Sequence, residues 1–480
     1  MTFASIPFLF YFLPLFIAAY YAAPAKNLVL LAGSLVFYAW GEPVLVLVLI
    51  ASTGVNHLIG ARLAERPRAA LLAVGIVLNL AALASFKYLG FFAENLSRLI
   101  EALGGPTAAF DIESRLPLGI SFFTFQSISF LIDIHRRDAP APKRWVDTAL
   151  FISMFPQLIA GPIVRFKTVE SQIQSRRHTP ERFSDGARLF ILGLAQKVLL
   201  ANVFAWPADQ AFGADPSFLT ARAAWAGVIC YTLQIYFDFA GYSNMALGLG
   251  RMFGFRLPRN FDFPYTAQSV TEFWRRWHIT LSQWFRDYLY IPLGGSRGGR
   301  WRTYRNLVVV FLLCGFWHGA AWAFVAWGAY HGLFLVLERV GLGRLLAAAP
   351  AVVRHGYLIL VVALGWVPFR TEDLGLALGY YGALFDFSRD ASLEWKHIVS
   401  SDAEYILVIG VVVALWPLVR RPIAALARTL SRLWPPGVRE ASPVATARTL
   451  AGFAALTVLL FLSATLLAGG VYNPFIYFRF

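Results

Sequence analysis

Hydrophobic positions in this chain come in long runs set apart by short polar stretches. The runs lie at Ile6 to Ala22, 27–41, 44–60, 69–91, 116–134, 189–205, 222–249, 356–369, 404–419 and 449–468. About 20 apolar residues in a helix, at 1.5 Å each, cross the hydrocarbon core of a bilayer, so the pattern predicts an all-α polytopic membrane protein. Lys26, then Arg62, Arg66 and Arg68, then Arg136, Arg137, Lys143 and Arg144 follow alternate runs. Basic loops stay in the cytoplasm, and the alternation fits. The first run has no positive charge before it and Lys26 just after it, the reverse of a signal peptide. It reads as a retained span with its N-terminus outside. Outward loops are expected at 92–115, 206–221 and 370–403, and a last cytoplasmic loop at Arg420, Arg421, Arg428 and Arg432.

Two runs break the alternation. The run from Trp145 to Val164 has basic residues on both sides, ending with Arg165 and Lys167, and Pro156, Gly161 and Pro162 interrupt it. Proline removes a helical hydrogen bond, so the segment is expected to be re-entrant and to line protein or a cavity. The run from Leu307 to Leu337 is 31 residues, ~46 Å as a helix, too long for one upright crossing and too short for two. A bent or re-entrant pair is expected, with Gly315 and Gly319 at the bend and His318 at its deepest point.

Between these runs the period changes. Trp274, Trp277, His278, Leu281, Trp284, Phe285 and Tyr288 share one face of a helix, and Arg275, Arg276, Gln283, Arg286 and Asp287 take the other. The expectation is one amphipathic helix at a membrane surface. Gly294, Gly295, Gly298 and Gly299 with Arg297 and Arg300 then form a turn-rich linker, for which a flexible turn is the simpler reading than a phosphate cradle.

Composition narrows the function. Hydrophobic residues make up 58% of the 480 and charged ones 14%, against about a quarter charged in soluble domains, and no long polar stretch separates the runs. One polytopic domain over 1–480 is expected, with no separate soluble domain. The formal charge of +15 follows from basic loops and needs no nucleic acid. Cys230 and Cys314 lie inside apolar runs without a metal spacing, so neither disulfide nor metal is expected.

Ionisable groups inside apolar runs are costly and usually functional. No Asp, Glu, Lys or Arg occurs between Leu307 and Tyr330, which singles out His318 as a general base, although a core histidine bonded to a neighbouring helix is the blander reading. His278 stands at even odds between packing and function. Gln234, Asp238 and Tyr242, continued by Ser243 and Asn244, make a polar stripe in a membrane run. For Asp238 a buried structural partner is the stronger reading, a place on the reaction path the weaker.

F-W-R-R-W-H-I-T-L-S-Q-W-F-R-D-Y-L-Y-I-P-L-G-G (273–295) followed by C-G-F-W-H-G-A-A-W (314–322) resembles the membrane-bound O-acyltransferase (MBOAT) family, in its bacterial alginate O-acetylation branch. So do P-L-G-I-S-F-F-T-F-Q (117–126), F-P-Q-L-I-A-G-P-I (155–163), D-F-A-G-Y-S-N-M-A-L-G (238–248) and the ending F-I-Y-F. The likeness spans the whole chain, with its motif core at about 116–338.

The resemblance implies an acyltransferase with an MBOAT-like helical core and a tunnel through the membrane. Its invariant histidine matches His318 and its second active-site position matches His278, which would position the acceptor or donate to a developing oxyanion. Trp274, Trp277, Trp317, Asp238, Tyr242, Asn244 and Gln126 are candidates to line the tunnel. A thioester donor would arrive from the cytoplasm, acetyl-CoA being the natural guess, with no permanently bound cofactor. The acetyl group would pass out of a bacterial inner membrane, with periplasmic acetyl-transfer proteins, to a polysaccharide such as alginate. D-alanyl transfer by the same fold and a transporter or flippase for lipid-linked sugars are the competing readings.

Overall fold

The computed structural model describes residues 1–106, 116–389, 393–420, 442–470 and 472–476. Arg421, Arg428 and Arg432, the acidic end of the 92–115 loop, and Tyr477 and Phe478 lie outside the described residues. Apart from an isolated bridge between Leu219 and Leu393, the described residues form helices and loops. Five helices among them are long and apolar enough to cross a membrane: Val46–Glu65, Ala69–Ala102, Pro180–Gly213, Ala351–Thr371 and Leu450–Ala468. The protein is an all-α polytopic membrane protein.

Its spine is the helix Ala221–Met252, buried along almost all of its 32 residues. The helix Pro180–Ala195 runs antiparallel to it on glycines. A Cβ at Gly193 would come within 2.5 Å of the Gly241 carbonyl oxygen, and one at Gly186 within 2.6 Å of that of Gly248. Helices in lipid gain mainly by such close packing. The stretch expected as an outward loop at 370–403 contains a further helix, Leu374–Phe385, whose Ala377, Tyr380, Ala383 and Leu384 are buried. Tyr380 donates to the Ala224 carbonyl at 3.0 Å, so an apolar face packed on the spine makes a helix where charge alone suggested a loop.

The interrupted run behaves as its prolines require. It forms Trp145–Ser153, one helical turn at Phe155–Leu158, a tight bend at 159–161 with Ala160 at φ +50°, and an irregular stretch to Val164. Ser34 caps the broken end by accepting from the Phe155 N–H at 3.1 Å.

The other irregular run is a helical hairpin. Arg300–His318 and Trp322–Leu337 pack antiparallel around a turn at 319–321. A Cβ at Gly315 would meet the Phe324 carbonyl oxygen at 2.2 Å, and one at Gly328 that of Phe311 at 2.2 Å. The turn falls beside Gly319, where the bend was expected, and the first arm starts in its basic flank at Arg300. Its apolar part, from Leu307 to His318, reaches only ~18 Å, short of the full thickness of the hydrocarbon.

The single amphipathic helix is corrected. The chain folds as Val270–Arg276 and Ile279–Phe285, then a π-turn at Arg286–Tyr290, with a break at Trp277 and His278. His278 has φ +42°, and Ile279 donates its N–H to the Asn260 carbonyl at 2.9 Å, so the crossing 253–269 segment replaces helical bonds there. The division by burial still holds: all seven stripe residues are buried, and Arg275 and Arg286 are exposed. At the far end Asp287 pairs with Arg165. Burial alone would raise its carboxyl, but bonds and charge from Arg286 and Arg165 outweigh burial and hold it below the ordinary carboxylate value.

Candidate active site

His278 and His318 come from different segments and meet around one indole. The ring of Trp317 lies 4.9 Å from that of His318 and 6.2 Å from that of His278, centroid to centroid. Both histidines are buried. Phe125 stacks on Trp317 at 5.2 Å and on Trp284 at 3.8 Å, so the helix Ile120–His135 forms one wall.

The hydrogen bonds fix which nitrogen of each ring carries the proton. His318 Nδ1 lies 2.7 Å from the Cys314 carbonyl oxygen, which can only accept, so Nδ1 is the donor and Nε2 keeps its lone pair. His278 Nδ1 lies 3.1 Å from Asn260 Oδ1. Thr280 donates its backbone N–H to the same atom at 3.3 Å and its hydroxyl at 2.8 Å. Since a backbone N–H must donate, that atom is the amide oxygen and His278 donates to it as well. His278 Nε2 is buried without a partner. Each neutral ring therefore offers the site a lone pair, and a donor for an oxyanion has to come from another group. Trp317 and Trp327 bury indole N–H groups that have no partner among the described residues.

Other expected residues divide. Trp274 stands edge-on to Trp327 at 5.7 Å and Trp277 against Trp366 at 5.0 Å, next to the histidine pair. Gln126 follows Phe125 on the wall helix, and both atoms of its buried amide lack partners. The stripe on the spine does different work. Asp238 pairs with Lys197 at 2.8 Å and accepts from the Ile476 N–H at 2.9 Å. Tyr242 stacks between Phe3 at 4.4 Å and Phe475 at 4.5 Å, and Asn244 donates to Gln196 at 2.8 Å. Asp238 and Tyr242 thus dock the chain ends and Asn244 ties the spine to its neighbouring helix, while Phe239 of the same helix turns to His278 at 4.7 Å. The glycine linker is a turn pinned by Asn306, which donates to the Leu293 and Gly295 carbonyls at 3.2 and 3.0 Å. Both cysteines are free and buried, and no cluster among the described residues has the make-up of a metal site.

Sequence reasoning passed over Asn260, which sits in a loop without periodicity. It also passed over His331, buried against Trp274 and Trp327 at 5.2 and 5.1 Å with neither ring nitrogen partnered. His331, like His318, is an imidazole in an apolar run, where an ionisable group is costly.

Two clefts approach the pair. One has exposed Arg275 and Arg339 at its mouth, Leu281, Phe285 and Phe311 on its walls, and buried Trp274 and Cys314 at its inner end. The other is lined by Gln234, Arg370 and Phe369, and Phe369 stands edge-on to His318 at 5.5 Å.

A family model for membrane-bound O-acyltransferases matches residues 142–363. The probable alginate O-acetylase AlgI of Azotobacter vinelandii is 42% identical over the whole of both chains. The peptidoglycan O-acetyltransferase of Helicobacter pylori is 36% identical over 77% of each chain. The teichoic acid D-alanyltransferase of Streptococcus thermophilus is 31% identical over 46% of this chain and 56% of its own.

Proposed function

The chain belongs to the membrane-bound O-acyltransferase family, and from that membership we propose that it carries acetyl groups from a cytoplasmic thioester to hydroxyls of an extracytoplasmic polysaccharide. One observation carries the chemistry: two buried histidines, each with its N–H committed elsewhere, turn on the same indole. In the reaction, His318 Nε2 takes the proton of the acceptor hydroxyl as that oxygen attacks the thioester carbonyl carbon. The C–O bond forms, the C–S bond breaks, and the thiolate leaves with the proton from the imidazolium. His278 accepts a hydrogen bond from the incoming acceptor and so positions it. The indole N–H groups of Trp317 and Trp327 are the donors at hand for the carbonyl oxygen.

The clefts support a two-sided path that together would make the tunnel. A basic mouth over an apolar wall suits a phosphorylated, thin thioester arm, such as the pantetheine of acetyl-CoA. The cleft at Phe369 and Arg370 neighbours the stretches expected to face outward, where a polysaccharide such as alginate would be served through periplasmic acetyl-transfer proteins at a bacterial inner membrane. The names of the alginate and peptidoglycan relatives favour acetyl over D-alanyl. Purified protein given labelled acetyl thioester should acylate a hydroxyl acceptor. Folded protein that moves labelled sugar across a vesicle and transfers no acyl group would instead make it a flippase.

A further inference from the structure

The helix that ends at His318 is held by a lysine from a distant part of the chain. The last carbonyls of a helix have no partner within it. Here Gly319 reaches back to the Gly315 oxygen only at 3.4 Å, and the next three are taken in turn by side chains. Tyr88 donates to the Phe316 oxygen at 2.9 Å. Lys87 donates to the Trp317 oxygen at 2.6 Å and to the His318 oxygen at 3.2 Å. Its third donor goes to Ser121 Oγ at 3.3 Å, on the wall helix whose Phe125 stacks on Trp317. All three N–H groups of the ammonium are thus used.

Two features mark this as more than chance contact. Lys87 sits in the apolar helix Ala69–Ala102, where a charge is expensive, and no carboxylate pairs with it among the described residues. Its counter-charge is the negative end of the helix dipole. The helix also widens into a π-turn at Ala84–Tyr88, the local distortion often kept at functional sites, and that turn carries both capping side chains. Lys87 lies outside the 142–363 stretch that the family model matches.

We propose that Lys87 is a positioning residue: it fixes the backbone of Trp317 and His318 so that His318 Nε2 stays where the acceptor hydroxyl must arrive. The inference rests on the acyl-transfer reading above. Lys87 does not line the donor cleft, so its loss should act on the chemical step. A misplacement of about 1 Å costs about 10²-fold in rate.

Turnover is therefore measured per folded, monodisperse protein with labelled acetyl thioester. Lys87→Met should lose about 10²-fold in kcat with KM within about threefold, and Lys87→Arg, which keeps charge and reach, should recover part of it. Lys87→Gln is the second variant should Met fail to fold, with a loss of about tenfold or more in kcat. Either truncated variant, folded and within about threefold of wild-type kcat, or impaired through KM alone, would overturn the proposal. A purely structural lysine would lower the yield of folded protein and leave kcat alone. A folded wild type without transferase activity would overturn the functional reading by itself. The placement claim is then decided by the alkylation rate of His318→Cys, expected to change by about fivefold or more when Lys87 is replaced by Met. An unchanged rate would contradict it.

Discussion

Asn260 binds His278 and Thr280 with a single oxygen, accepting the ring N–H at 3.1 Å and the Thr280 hydroxyl at 2.8 Å. This decides which face of His278 reaches the site. Asn260→Ala leaves two buried N–H groups and a hydroxyl unpaired, each costing about 1–3 kcal/mol, and frees the imidazole to change tautomer. Its melting temperature in detergent should fall, and acetyl transfer per folded molecule with it. Asn260→Asp keeps the acceptor oxygen and should transfer faster than the alanine variant. Equal activity in the two would show that the oxygen does not orient His278.

The hairpin that presents His318 depends on two glycines in contact. Gly315→Ala or Gly328→Ala places a methyl group against carbonyl oxygen at 2.2 Å, and backbone cannot move aside as a side chain can. Both variants should lose yield and transfer. Gly356→Ala meets nothing within 4 Å in the helix Ala351–Thr371 and should be neutral or slightly stabilising, by up to about 1 kcal/mol. Thermal unfolding by fluorescence separates them, and a fully stable Gly315→Ala chain would rule out the packing described.

Lys197 and Asp238 form a buried ion pair that also grips the chain end through the Pro474 carbonyl and the Ile476 N–H. Removing one partner strands a charge, which costs about 3–5 kcal/mol. Asp238→Asn and Lys197→Met should each melt well below wild type, and the double variant should recover much of the loss. Additive losses would mean that the two charges do not depend on each other.

Much of the fold was legible because burial in lipid writes itself into long apolar runs. The proline break at Met154 and the reversal near Gly319 were readable too, since each left a local mark. What failed was periodicity near His278: Trp274 to Tyr288 repeat like one helix, yet a positive φ and the crossing Asn260 loop split it. Long-range ties of this kind leave no spacing. His318 was legible as an unusual residue type in an apolar run, and His278 as an imidazole in the aromatic stripe of an amphipathic segment. Asn260 acts through a hydrogen bond from a loop and left no such signal. Lys87 did leave one, as a charge in the apolar run 69–91, but the sequence reading passed over it, and only the fold shows the carbonyls it holds. For Asp238 the sequence showed a carboxylate in an apolar run but not its cation, Lys197, which stands 41 positions earlier in the chain and beside it only in the fold.

The ends of the interrupted run and of the hairpin should lie on the cytoplasmic side. Arg144 and Arg165 flank the first and Arg300 and Arg339 the second, and retention of basic loops is the physical cause. Cysteines introduced near 165 and 340 should react with a membrane-impermeant reagent only in inverted vesicles. Strong labelling from the outside would reverse this orientation and the side from which the donor enters.

His318 carries the central claim, and His318→Ala tests it most directly. Alanine offers no proton acceptor, and a positioned base contributes about 10²–10⁴ in rate. Removing an imidazole from an apolar site should cost folding little beyond a small cavity. Labelled acetyl transfer by monodisperse His318→Ala protein is expected to vanish, while His278→Asn, which keeps a polar group of similar reach, retains some. Near-normal transfer by monodisperse His318→Ala would contradict the account and return this histidine to a structural role.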